Sequence, residues 1–137
     1  MKSRAIILLF TIATLFVSCN NDDDATNDLS LIGEWNLINV SGGVGGLDID
    51  YDRGWIVWNF NEDMVLIENN SPIDNGPITQ ASGTYTYTII SANDKNFLVL
   101  DGQEKGQIIF ENDSFTIDQN EYSTGSGNDG FGIYFER

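Results

Sequence analysis

The chain has 137 residues, with 21 acidic and six basic side chains, no histidine and one cysteine. A formal charge of −15 argues against a nucleic-acid partner, because neutralising phosphates needs clustered Lys and Arg. It argues equally against electrostatic docking on anionic lipid. Without histidine and with a single cysteine, Ser-His-Asp and Cys-His arrangements and the usual zinc ligand sets are excluded. Paired carboxylates for glycoside hydrolysis carry no signal in so acidic a chain. The composition predicts a protein that is not an enzyme.

The N-terminus reads as a leader. Lys2 and Arg4 precede an apolar run over 5–17 that only Thr11 and Thr14 interrupt. A membrane-spanning helix needs about 20 such residues, so this run is too short to span. A basic start, a short apolar core and the small Ser18 describe a secretory signal peptide over 1–18. The residue after Ser18 is Cys19, the only cysteine. Phe16-Val17-Ser18-Cys19 resembles the lipobox of bacterial lipoproteins: an apolar residue, a tolerant one, a small one, then Cys. The resemblance implies that a diacylglycerol is attached to the Cys19 thiol, that the chain is cut before Cys19, and that the new amino group receives a fatty acyl chain. It would also account for an unpaired cysteine in a secreted chain. Each buried CH2 contributes about 0.8 kcal/mol, so two or three acyl chains anchor stably. The alternative is an ordinary signal peptide followed by a chance cysteine.

Residues 19–30 hold the lipidated Cys and an acidic tether. They are polar, lack aromatic residues and read as disordered. Asn20-Asn21-Asp22-Asp23-Asp24 resembles the signal that sends lipoproteins of the Bacteroidetes group to the outer cell surface. That implies an outer-membrane lipoprotein on the cell surface rather than on the periplasmic face. The plainer reading is a solvated spacer kept extended by like charge. Cleavage before Cys19 removes two basic residues and no acids, leaving 4 basic and 21 acidic residues, a formal −17.

Residues 31–137 form one segment of single-domain size. No helical periodicity runs through it. What repeats is a short run of Ile, Val, Tyr, Phe, Trp and Thr followed by a turn cluster, the signature of an all-β sandwich or barrel. Eight runs stand out: 34–41, 55–60, 64–68, 83–90, 97–100, 107–110, 115–118 and 131–136. In the fourth, Tyr85, Tyr87 and Ile89 alternate with Thr84, Thr86 and Thr88, a period of two. Asn61-Glu62-Asp63, Asn93-Asp94, Asp101-Gly102 and Asn112-Asp113 are turn signals. Short connections predict antiparallel hairpins, and eight of them close into an up-and-down barrel without edges.

Gly33-Glu34-Trp35, opening the first run, matches the G-x-W motif of lipocalins. The segment resembles the short lipocalin-like domains common in lipoproteins of the Bacteroidetes group. They open on G-x-W-x-L (here 33–37), carry an aromatic strand into an acidic turn (58–63) and close on an aromatic strand with a basic residue (134–137). The resemblance implies a calycin-like barrel that binds a small apolar or amphipathic ligand. It also makes Trp35 the plug of the closed end, with Arg137 packed over it.

The predicted inward side chains are bulky, so a largely filled barrel with a shallow cavity at the open end comes first, and a deep cup second. The glycine-rich stretch over 42–54 reads as a candidate lid. Tyr51, Trp55 and Tyr87 are candidate ligand contacts. Trp55 and Val57 make the second run apolar on both faces, which leaves a surface protein or glycan partner as the alternative to a ligand in the barrel. Asp48, Asp50 and Asp52 fall at every second residue, like the start of an EF-hand loop. Arg53 stands where that loop needs Gly and Asn59 where it needs Glu. A looser oxygen site for Ca2+ is the alternative to a solvated acidic loop, and no other metal or cofactor is expected.

Overall fold

The computed structural model describes residues 30–73 and 79–137. The leader, Cys19, the tether up to residue 29 and residues 74–78 lie outside the described residues. Eleven strands form among those described: β1 (Gly33–Gly42), β2 (Leu47–Asp50), β3 (Ile56–Phe60), β4 (Met64–Asn69), β5 (Gly83–Ala92), β6 (Lys95–Leu100), β7 (Gln103–Glu111), β8 (Ser114–Asp118), β9 (Glu121–Tyr122), β10 (Gly125–Ser126) and β11 (Phe131–Glu136).

The wall runs β1-β3-β4-β5-β6-β7-β8-β11, and β11 pairs back onto β1. Every pairing is antiparallel. The result is the closed eight-stranded up-and-down barrel that the spacing of the runs predicts. The turns explain why neighbours pair. Asn93 and Asp94 have φ of 52° and 59°, and Asp101 and Gly102 have 46° and 76°. Two consecutive positive φ values make the two-residue hairpin turn whose twist matches the strands it joins.

Three strands go beyond the eight runs. The stretch over 42–54, read as a loop and lid, is mostly a hairpin. β1 continues to Gly42, and β2 returns along it from Gly42↔Leu47 to Asn39↔Asp50. Leu47 and Ile49 alternate with Asp48 and Asp50, a strand pattern that the flanking glycines obscure. β3 then pairs with the other half of β1, from Gly33↔Phe60 to Asn36↔Val57. β2 and β3 are thus one wall strand broken at 51–55. β9 and β10 form a small hairpin inside the excursion between β8 and β11.

The core lies inside the barrel. Trp35, Leu37, Val40, Ile56, Trp58, Phe60, Val65, Ile67, Leu98, Leu100, Ile108, Phe115, Ile117, Ile133 and Phe135 are all buried there. Phe97 is also buried, but outside this cluster, on the strand face opposite Leu98. On that outer face Lys95 reaches Glu121 (3.0 Å), and Glu104 accepts from the Ser123 N–H (2.6 Å) and Oγ (2.7 Å). The excursion therefore packs across the outside of β6 and β7, which accounts for the burial of Phe97. Gly106 makes the close approach. Its φ is +134°, it sits where the β6–β7 register shifts, and a Cβ there would lie 2.4 Å from the Asp118 carbonyl oxygen.

Gly106→Ala should therefore lower stability by about 2 kcal/mol, through both the strained φ and the clash with rigid backbone. Urea unfolding checks this, and a wild-type midpoint would show that the excursion is not held at this point.

Candidate functional site

The two ends of the barrel differ. At one end lie the start of β1, the β3–β4, β5–β6 and β7–β8 turns, and Arg137. At the other lie the β1–β2 hairpin, the β6–β7 turn and the excursion.

The first end is closed. The guanidinium carbon of Arg137 stands 4.5 Å from the centroid of the Trp35 ring. At an exposed site such a contact contributes about 0.5–1 kcal/mol. The Trp35 indole N–H donates to the Leu31 carbonyl (2.6 Å), and Arg137 Nη2 donates to the Ser30 carbonyl (2.7 Å). The Arg137 N–H donates to Asp113 O (3.0 Å). The structure thus brings Trp35 and Arg137 together and adds the Ser30–Leu31 segment, which no sequence signal marked. Arg53 strengthens this corner from outside. It reaches across β1, with Nη2 donating to Glu136 Oε2 (2.7 Å) and Nη1 to the main-chain oxygen of Arg137 (2.5 Å). Both side chains of the Arg53–Glu136 pair are well exposed, so the pair positions more than it stabilises.

Above the plug the rings interlock. Phe115 stacks on Phe135 at 4.5 Å and meets Trp35 edge-on at 4.8 Å. Trp58 tilts against Phe135 at 4.9 Å, and Phe60 meets Tyr87 edge-on at 4.9 Å. Trp35, Trp58, Phe60, Phe115 and Phe135, with Val40 and Ile133 above them, each keep 3% or less of their surface, whereas Tyr85, Tyr87 and Phe110 are only partly buried. Among the described residues the barrel axis is closely packed with side chains. One polar atom is left over inside it: Trp58 Nε1 has no hydrogen-bond acceptor among the described residues. A buried donor without a partner costs about 1–3 kcal/mol.

The three candidate ligand contacts do not form a single site. Tyr87 lies at the closed end, its hydroxyl donating to the Asn61 carbonyl (2.7 Å). Burial, and then the nearby Asp63 carboxylate, raise its pKa above the usual tyrosine value. Tyr51 is buried in the core at the β2–β3 break, its N–H donating to Ile38 O (2.8 Å). Trp55 packs half-buried against the core from the same break. Leu47, Ile49, Ile73 and Phe131 are likewise only partly buried and pack against the core. Val57, on the outer face of β3, is half-buried as well.

Asp48 and Asp50 share a donor: the Asn39 amide donates to both carboxylates at 2.9 Å. Asp52 lies past them in the break. Among the described residues no group of three Asp, Glu, His or Cys is arranged to hold a metal. A shallow polar cleft of about 300 Å³ opens outside the closed end between Glu111, Asp113, Ser114, Tyr134, Glu136 and Arg137. Its cation is already engaged with Trp35 and Ser30.

Comparisons with protein-family models, curated proteins and solved structures return no match.

Two outcomes follow from the closed end. Arg137→Gln should cost about 0.5–1 kcal/mol and alter Trp fluorescence, because the indole loses its cation. An unchanged spectrum would mean the contact is not kept in solution. Tyr87 holds its proton more tightly folded than unfolded, so its contribution is complete below the unfolded pKa and is lost as pH rises through the folded value. Tyr87→Phe should therefore flatten the alkaline limb of the stability–pH curve. An alkaline limb as steep as wild type would assign that loss to other groups.

Proposed function

We propose that this chain is a lipid-anchored protein of the cell envelope, held through Cys19 in the outer membrane and displayed at the cell surface. Its barrel binds without catalysing, as an interaction module that engages a protein or glycan through its open-end loops. The observation that supports surface binding over a deep cup is the close packing of rings from β1, β3, β8 and β11 along the axis. The Ser41–Leu47 hairpin tip supports the choice of end. It carries no charge in a strongly acidic chain, and its Val44 is 87% exposed.

A second reading is binding of a small apolar or amphipathic molecule at the open end, as the lipocalin resemblance implies. It is favoured by the unpartnered Trp58 Nε1, which would satisfy an oxygen reaching into the barrel, and by the partly buried Leu47, Ile49, Trp55, Ile73 and Phe131.

The anchor has a direct test. Cys19→Ala should leave the barrel folded, unlabelled by a clickable fatty acid and released from membranes, whereas continued labelling would remove the lipid from the proposal. Native mass spectrometry of the full chain after incubation with an envelope extract separates the two binding modes. A bare mass supports the interaction module. An adduct of small-molecule mass, lost on Phe131→Glu, supports the second reading.

A further inference from the structure

Closing the barrel removes edges except where one strand overruns its neighbour. β5 pairs with β4 only from Ile67↔Gly83 to Met64↔Thr86, but with β6 as far as Ala92↔Lys95. Residues 88–92 therefore have β6 on one side and no strand on the other among the described residues. The hydrogen bonds show which groups face the open side. Thr86 N–H donates to Asp101 Oδ1 (2.8 Å) and Asp101 N–H to Thr86 O (2.9 Å), so even-numbered backbone groups point toward β6. Tyr87 N–H points the other way, to Asp63 O (3.0 Å). By alternation the N–H and C=O groups of Ile89 and Ser91 face outward, two donors and two acceptors spaced for an antiparallel partner.

This edge lacks the usual protection. Open edges are commonly blunted with charge, proline or a bulge. β2 also has an open side and follows that rule, since Asp48 and Asp50 alternate along it. Over 88–92 the sequence is Thr-Ile-Ile-Ser-Ala, uncharged and without a register shift. Ile89 and Ile90 lie on opposite faces and are each 38% exposed, and Thr88 and Ser91 are exposed too.

The surrounding charge selects the occupant. Asp63 stands at one end of the open edge, with Glu62 beside it, and Asp94 in the hairpin turn stands at the other. The nearest cation, Lys95, is paired with Glu121 (3.0 Å). A second copy would bring the same acids and a formal −15 of its own. We propose that residues 88–92 of β5 are a docking edge for an extended peptide segment of a partner protein, β-branched in the middle and basic at both ends. It adds as an antiparallel strand in line with β4. Main-chain bonds to Ile89 and Ser91 give affinity, and the flanking acids give the preference for basic ends. The edge lies at the closed end, away from the loops invoked above, and depends neither on them nor on the lipid.

The test uses the full chain in a non-ionic detergent. The probe is a fluorescein-labelled heptapeptide of alternating valine and threonine between terminal lysines, read by anisotropy. It should bind saturably. A peptide with terminal glutamates should bind at least about tenfold more weakly, as should the lysine peptide to Ser91→Pro or Ile89→Lys chains of unchanged melting temperature. Ser91→Pro removes a donor that only the incoming strand uses, and Phe131→Glu, at the other end, should leave binding intact. Amide exchange at Ile89 and Ser91 should slow on binding. The proposal is overturned by no saturable binding, by equal binding of the glutamate peptide, by wild-type binding to both edge variants, or by a dimer of the chain that Ser91→Pro dissolves.

Discussion

The seam between β1 and β11 carries the architecture. Every other pair in the wall joins strands that follow one another through a turn, a break or an excursion, whereas the seam joins the first strand to the last. It runs from Asn36↔Glu136 to Gly42↔Phe131. Without it the sheet would have two long edges and an apolar face open to water. Reinforcement is concentrated there. Arg137 covers Trp35 at the lower end, Arg53 straps the outside to Glu136, and Gly43 N–H donates to Gly130 O (3.0 Å) at the upper end. Two of the four cations among the described residues serve this line.

Period-two patterning and turn chemistry made the barrel legible. The Tyr/Thr alternation over 84–89 and pairs such as Asp101-Gly102 dictate strand, hairpin and antiparallel order by local sterics. What local pattern cannot show is how far each strand runs past its neighbour, because strand tilt and pairing offset are properties of the closed wall. Ile89 illustrates this. Its parity assigns it to the interior, yet β5 carries it beyond the end of β4, where it is exposed. Grouping Tyr87 with Tyr51 and Trp55 neglects the same offset, which places Tyr87 at the closed end.

The glycine-rich stretch failed differently. Glycine marks freedom, and its density over 42–46 concealed β2, which forms because Leu47 and Ile49 have an apolar wall to join. Arg53 and Tyr51 acquire roles only because β2 and β3 leave a break opposite Ile38 that one side chain fills and the other straps. Those roles depend on contacts across β1 and were not readable from spacing. The contact between Trp35 and Arg137 came into view by resemblance rather than from physics, since nothing in composition ties one aromatic residue to a distant cation.

The seam also orders events in time. Arg137 and Ser30 touch across 107 residues, whereas the β5–β6, β6–β7 and β7–β8 hairpins each close over two. Short loops close in tens of nanoseconds, but joining distant strands requires most of the chain to be confined first. The hairpins therefore precede the seam, and the last wall strand in chain order is the one the first strand waits for. Until β11 arrives, the inner faces of Trp35, Leu37 and Val40 have no lid. A chain released N-terminus first would present an open sheet until β11 follows and closes it.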